Sequence, residues 1–310
     1  MENEKKLNNT PSNTIVPEAD RLDVEKLSRG QLIGKIASNT IIYIILVLLA
    51  IAIIFPFYWM INSSLKDLVE YKRSIPTFWP ETVHFENYLK AYQHANLGTL
   101  FLNTVYVGLV STILSLVITV LSAFAFARLE FKGKNVMFAA LLATMMIPGE
   151  LFTITNYATV KTWFGWGNTF TALIVPFLVS VFYIYLLRQN FMQVPNELYL
   201  AAKVDGTSDM KYLIRVMVPL ALPTITTITI LKMMGAWNSY IWPRLIANDD
   251  AHKLITNGLR GTAFQEAGEQ ETNYPVQMAA VAIVSLPLFI IFLFFRKYIM
   301  RGVSRSGIKG

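Results

Sequence analysis

Six separate stretches of this chain are apolar for long enough to cross a lipid bilayer, and this repetition limits the fold more than anything else. They run over about 40–61, 101–127, 136–160, 169–187, 220–242 and 277–295. A hydrocarbon core about 30 Å thick is spanned by roughly 20 helical residues rising about 1.5 Å each. Inside lipid every backbone N–H and C=O needs a partner from the chain itself, so runs of this length are expected as helices. The expected fold class is therefore all-α, a polytopic membrane protein with six transmembrane helices. The third run is interrupted by Pro148-Gly149-Glu150 and is expected as a helix broken at Pro148. Only 15% of residues are charged against 54% hydrophobic, where a soluble domain carries about 25% charged residues.

Lysine and arginine set the expected orientation. The segments before span one, between spans two and three, between spans four and five, and after span six together hold eighteen, whereas the alternate segments hold eight. The positive-inside rule then places both termini and the 188–218 segment in the cytoplasm, consistent with six spans. Three regions follow: a polar N-terminal tail over 1–39, expected to be partly disordered, a membrane domain over 40–295, and a basic C-terminal tail over 296–310. The first apolar run starts near Thr40, too far along for an ordinary signal peptide, so the chain is expected to keep its N-terminus. The net charge of +7 reports orientation and lipid contact here, not nucleic-acid binding.

Several chemistries find no support. With no cysteine there is no disulfide, thiolate nucleophile or Cys-based metal site. The histidines His84, His94 and His252 form no HExxH pattern, so no metal centre is expected. Gly30 to Lys35 falls one residue short of a phosphate loop, and Ile36 stands where magnesium would need a hydroxyl. No catalytic residue is assigned.

Two stretches invite a functional reading. Pro195 to Pro223 is a polar break that still reads as helical. Pro195 suits a first helical position, Glu197 the first turn, and Gly206 after Asp205 a left-handed stop. Thr207 or Ser208 can then cap a second helix running to Pro219. Leu198, Ala201 and Ala202 share one face, whose small residues would admit another surface closely, or simply rest in the lipid interface. The other stretch is span five. An ionised lysine at mid-bilayer costs roughly 2.5–3.5 kcal/mol, so Lys232 is expected to face a water-filled path or a carboxylate, unless it snorkels to an end. Gly235, Ala236, Ser239 and Tyr240 share its face. Lys232, Ser239 and Tyr240 are the candidates to line such a path. Trp237 and Trp242 are expected either there or as interface anchors.

The spacing around Gly206 resembles the EAA loop of ABC-importer permeases: Glu-Ala-Ala, three residues, Gly, nine residues, Ile-x-Leu-Pro. Ala201, Ala202, Gly206 and Pro219 match it, Val216 and Val218 are mild departures, and Leu200 stands where the family has Glu, with Glu197 one turn earlier. Further stretches resemble the carbohydrate-uptake branch of that family, of which the maltose importer is the best-known case. They are Pro56 to Met60 with Ser63 to Lys66, Glu86-Asn87-Tyr88, Ala123 to Arg128 with Phe131 to Gly133, Gly235 to Pro243, and the terminal Gly307 to Gly310.

What the resemblance implies is a permease subunit and not an enzyme. It would pair with a second permease as a heterodimer, with two ATPase subunits that alone hold ATP and magnesium, and with an extracytoplasmic solute-binding protein that delivers a sugar or oligosaccharide. The 195–218 loop would be the coupling helix, contacting the ATPase through Glu197, Leu198, Ala201, Ala202, Asp205, Gly206 and Pro219, while Gly307, Lys309 and Gly310 would reach the same subunit. Asn238, which falls in the Gly235 to Pro243 match, would join Lys232, Ser239 and Tyr240 along the translocation path, where amides and aromatic faces suit sugars; Lys232 also admits an anionic cargo such as a sugar phosphate or acidic saccharide. A stand-alone secondary transporter is the rival reading, but it would need coupling carboxylates within spans, where only Glu150 is found. The implied location is a prokaryotic cytoplasmic membrane.

Overall fold

The computed structural model describes residues 29–265 and 271–304. The chain divides into two compact units, Met1–Pro56 and Phe57–Gly310. In the first, the described part belongs to α1 (Arg29–Ser64). Every large apolar side chain from Ile41 to Ile54 is exposed, Ile53 at 66%. A helix apolar on all sides offers water no polar face, which is the signature of a membrane span.

The second unit is built on helices whose ends follow local chemistry. Asp67 caps α2 (Leu68–Tyr71), its carboxylate accepting from Glu70 N at 2.6 Å. After α3 (Glu86–His94) comes α4 (Leu97–Arg128), the spine of the unit. Next, α5 (Lys134–Thr144) leads at 86° into Gly149–Trp163, which contains α6 (Thr153–Ala158). Pro148 at this corner lacks the N–H that would continue the ladder. α7 (Phe170–Ile174) ends in a tight turn holding Pro176, and α8 (Val181–Met192) leaves at 45°. α9 (Asn196–Val204), α10 (Asp209–Tyr212) and α11 (Val218–Leu220) follow, then a 79° bend into α12 (Leu222–Trp237). α13 (Ile241–Ile246) and α14 (Tyr274–Ser304) complete the order. Among the described residues there is no β-strand, only an antiparallel bridge between Gln265 and Thr272.

Three helices are long and apolar enough to span a membrane alone, and six spans result when each bent pair counts as one. The third run breaks at Pro148 as its sequence indicates. Span four is bent near Leu178, and span five does not run to 242 but stops at Trp237. Pro243 explains the second stop, because a continuous helix would leave the Ser239 carbonyl without its donor. That carbonyl instead accepts from Thr256 Oγ1 at 2.5 Å.

α4 packs against α8 and α12, and α12 in turn against α14, which also meets α3. The buried stripe of α4 is small and polar: Thr104, Gly108, Ser111, Ser115, Thr119 and Ala123. Side chains of this size let helices approach closely where lipid provides little hydrophobic drive. Gly108 faces α12, for a methyl group there would touch Met233 at 3.4 Å.

A polar node closes the end of α1 within the second unit. Asn87 donates to the carbonyls of Ser64 at 2.9 Å and Lys66 at 2.8 Å, and the Tyr88 and Ser64 hydroxyls meet at 2.8 Å. Buried Lys66 donates to Thr77 O at 2.5 Å, while buried Glu70 accepts from Thr77 Oγ1 at 2.5 Å and from Glu81 N. The Ser63–Lys66 and Glu86–Tyr88 motifs, far apart in the chain, are thus two halves of one cap.

Candidate functional site

The 195–219 loop is held by its own side chains. Pro195 sits at φ −55, ψ 138, outside α9; it occupies the cap position and not the first helical one, because its extended ψ precedes the first turn. Gly206 adopts φ +70, as its left-handed role requires. Thr207 N donates to Ala202 O at 2.8 Å and Gly206 N to Lys203 O at 3.0 Å, the paired bonds of a Schellman stop. Ser208 caps α10, its hydroxyl accepting from Lys211 N at 3.4 Å.

Four residues that the sequence reading did not single out lock the two helices together. Tyr199 donates its hydroxyl to Asp209 Oδ1 at 2.6 Å, Lys203 pairs with the same oxygen at 2.7 Å, and the Tyr199 ring meets Tyr212 edge-on at 5.1 Å. The Asp209 carboxylate keeps the Lys203 ammonium above its ordinary range. The available signal was the i, i+4 placement of Tyr199 and Lys203 ahead of an acid that starts the next helix.

The supposed common face of Leu198, Ala201 and Ala202 is divided. Ala202 turns inward with Tyr199 against the core, whereas Leu198 and Ala201 are exposed. Glu197, Asp205 and Pro219 are exposed as well, together with Leu200 and Val204, the latter at 89%. The reason is the register: Tyr199 and Ala202 are i, i+3, and the large ring decides which side is buried.

A cavity of about 390 Å³ lies between α4, the bent span four, α12 and α13, within the size range of small-molecule sites. Lys232, Ser239, Gly235, Ser111, Tyr183 and Trp242 are among its walls. Lys232 Nζ crosses to donate to Phe177 O at 2.6 Å. That carbonyl is released by the bend in span four, so of the two expected surroundings, a path or a carboxylate, Lys232 has a cavity beside it and a backbone acceptor in place of the carboxylate. Ser239 lies in the wall beside Lys232, but Asn238 and Tyr240 do not. Asn238 donates back to Met234 O at 3.0 Å, and the Tyr240 hydroxyl accepts from Arg244 at 2.6 Å. The stop after Trp237 takes Tyr240 off the face it would share with Lys232 on a continuous helix, and Asn238, six residues on from Lys232, lies off that face in any case. Trp237 and Trp242 are struts rather than interface anchors: each is buried, donating to Val284 O at 3.2 Å and Ala172 O at 2.9 Å.

Among the described residues no group of three or more His, Cys, Asp or Glu is placed to hold a metal. Gly30 to Lys35 lies inside α1 and not in a phosphate-cradling loop. Gly307, Lys309 and Gly310 lie outside the described residues, as do residues 1–28 of the N-terminal tail.

A family model described as the binding-protein-dependent transport system inner membrane component matches residues 38–305. The chain belongs to this family. Its members are the permease subunits of ABC transporters, which sets aside a stand-alone secondary transporter and makes this chain a transport subunit, not an enzyme. The melibiose/raffinose/stachyose import permease MelC of Bacillus subtilis is 30% identical over 282 residues, 89% of this chain and 99% of that one. The arabinooligosaccharides permease AraQ of Halalkalibacterium halodurans is 29% identical over 265 residues, 84% of this chain and 93% of that protein. The trehalose/maltose permease MalG of Thermococcus litoralis is 29% identical, covering 85% and 94%. Among solved structures, a chain of a bacterial ABC transporter that imports the acidic polysaccharide alginate has the same fold. It superposes with a TM-score of 0.76 at 21% identity, over 87% of this permease and 98% of that chain.

Proposed function

We propose that this permease carries an oligosaccharide into a prokaryotic cell as one half of a heterodimeric channel, driven by two ATPase subunits docked on the 195–219 loop. The observation that carries the reading is the loop itself. It is an exposed helix–glycine–helix whose angle is fixed by a complete Schellman stop, and its outer face of Leu198, Ala201 and Val204 is left for another protein. ATP and magnesium belong to the ATPase, and a solute-binding protein delivers cargo from outside. The excess of Lys and Arg around the loop and in the tails supports cytoplasmic termini and a cytoplasmic loop. MelC, AraQ and MalG are named for oligosaccharides, which supports the cargo class. A relative of like fold is described in complex with a periplasmic protein carrying an alginate pentasaccharide, and this supports the binding-protein partner.

The cavity is suited to a neutral sugar. Its ammonium is engaged with a carbonyl, while Tyr183 and Ser239 bring hydroxyls to the wall. The second reading, an acidic saccharide, draws on the two remaining Lys232 N–H donors.

The test is gentle extraction of the tagged chain from its native membrane with mass spectrometry of what accompanies it. Two copies of an ATPase and one copy of a second permease are expected. A chain that emerges alone and moves solute in liposomes without ATP refutes the reading.

A further inference from the structure

Arg128 is the last residue of α4, and its side chain is about nine-tenths buried. None of its bonds is to a carboxylate. Nη2 donates to Phe191 O at 2.9 Å and to Val194 O, while Nη1 donates to Asn196 Oδ1 at 3.2 Å. Phe191 lies in the last turn of α8, Val194 in the Gln193–Pro195 link, and Asn196 is the first residue of α9. A helix end leaves carbonyls without intrahelical donors. Here a guanidinium from a different helix supplies them, and its fork of donors suits several acceptors at fixed angles. The partial negative charge at the ends of α4 and α8 favours a cation in the same place.

We infer that Arg128 is the joint through which movement of the ATPase-contacting helix α9 reaches the helices that wall the cavity. The inference rests on the coupling role proposed for the 195–219 loop. α4 contributes Ser111 to the cavity, about 25 Å along the helix from Arg128 at 1.5 Å per residue. α8 contributes Tyr183. The link between α8 and α9 is only three residues long and ends in Pro195, whose fixed φ removes one freedom of rotation. The Arg128 bonds brace it on both sides, so α9 cannot tilt without carrying the ends of α8 and α4. The joint also retains unspent polar capacity. Arg128 Nε and the buried Tyr212 hydroxyl have no hydrogen-bond partner, and Tyr212 lies within electrostatic reach of the guanidinium. Unpaired buried groups cost free energy, and a second arrangement of the loop that pairs them would lower it. Arg128 is a positioning residue; nothing places it against cargo or nucleotide.

The test uses the whole transporter, purified with its partners and reconstituted with its binding protein. It reads three quantities: ATPase retained on the complex, ATP hydrolysed, and cargo moved per ATP. Arg128→Gln and Arg128→Lys are expected to retain the ATPase and hydrolyse ATP, while cargo moved per ATP falls about tenfold, the size expected for losing a charged hydrogen-bond fork. Asn196→Ala cuts only the bond to α9 and guards against misfolding of the arginine variants. It is expected to lower the same ratio several-fold, and Asn196→Asp, which keeps an acceptor for Arg128, to restore most of it. An unchanged ratio in Arg128→Gln overturns the inference, as does proportional loss of ATPase and transport together, which marks a merely structural arginine. An unaltered complex that contains no ATPase overturns the importer reading, and this inference with it.

Discussion

Replacing Gly206 with valine perturbs one backbone angle and almost nothing else. A Cβ built on Gly206 meets no atom within 4 Å, so steric crowding does not enter. The residue sits at φ +70, where an L-residue costs about 1–2 kcal/mol and a β-branched one more. A loop that relaxes to escape this strain gives up the Thr207-to-Ala202 and Gly206-to-Lys203 bonds, each contributing about 0.5–1.5 kcal/mol. Either way the penalty is about 1–3 kcal/mol, well below the roughly 5–15 kcal/mol that holds a domain together. The protein should therefore insert and fold, with the angle between α9 and α10 altered. Asparagine tolerates the left-handed region far better than valine does. Uptake of labelled oligosaccharide into membrane vesicles, normalised to permease in the membrane, should rank Gly206 first, then Gly206→Asn, Gly206→Ala and Gly206→Val, with valine abolishing transport. Normal uptake in Gly206→Val refutes the coupling role. Equal loss in Gly206→Asn and Gly206→Val refutes the backbone explanation, because size and not φ would then be at fault.

Lys232→Met leaves Phe177 O without its donor, and uptake of neutral and acidic oligosaccharides should fall alike; a loss confined to the acidic cargo would make Lys232 an anion reader. Gly258→Ala sets a methyl 2.2 Å from Leu100 Cδ1, so thermal stability should drop by about 1–3 kcal/mol and recover in part with Leu100→Ala, whereas an unchanged melting temperature counters this packing. Asn87→Ala strips the donor from two carbonyls, Ser64 O and Lys66 O, and is expected to destabilise by about 1–3 kcal/mol for each that stays dry, seen as faster proteolysis between residues 64 and 86. Hydrogen bonds from Asn168 and then His252 hold the Asp249 carboxyl below its ordinary range; its contribution is present above the unfolded value of about 3.9 and lost as pH falls through the lower folded one. Hydrogen exchange in the 247–254 loop should therefore quicken on acidification in that window and show no such step in Asp249→Asn.

Length and apolarity alone decide the number of spans, because a bilayer accepts only helices that satisfy their own backbone. The same local rules made Pro148 a corner, Gly206 a left-handed stop and Ser208 a cap, for each depends on groups a few residues away. The family, too, was legible in motif spacing. Contacts across the chain were not. Lys232 read as a charge needing a water-filled path or a carboxylate, yet its partner is a carbonyl freed by a bend in a different span; Pro176 marks that bend locally, but nothing local says which side chain comes to meet the carbonyl. Tyr240 shares a face with Lys232 on an ideal helix, but Pro243 and the Thr256 bond end the helix early and turn it away. Arg128, Asn87 and Asp209 drew no notice as functional groups, since each acquires meaning only from acceptors or donors brought from other elements. Sequence by itself settles what the backbone can do within a turn or two of each residue and which segments leave water. Which polar group meets which across the helices is decided by packing, because buried hydrogen bonds are short, directional and costly to leave unmade.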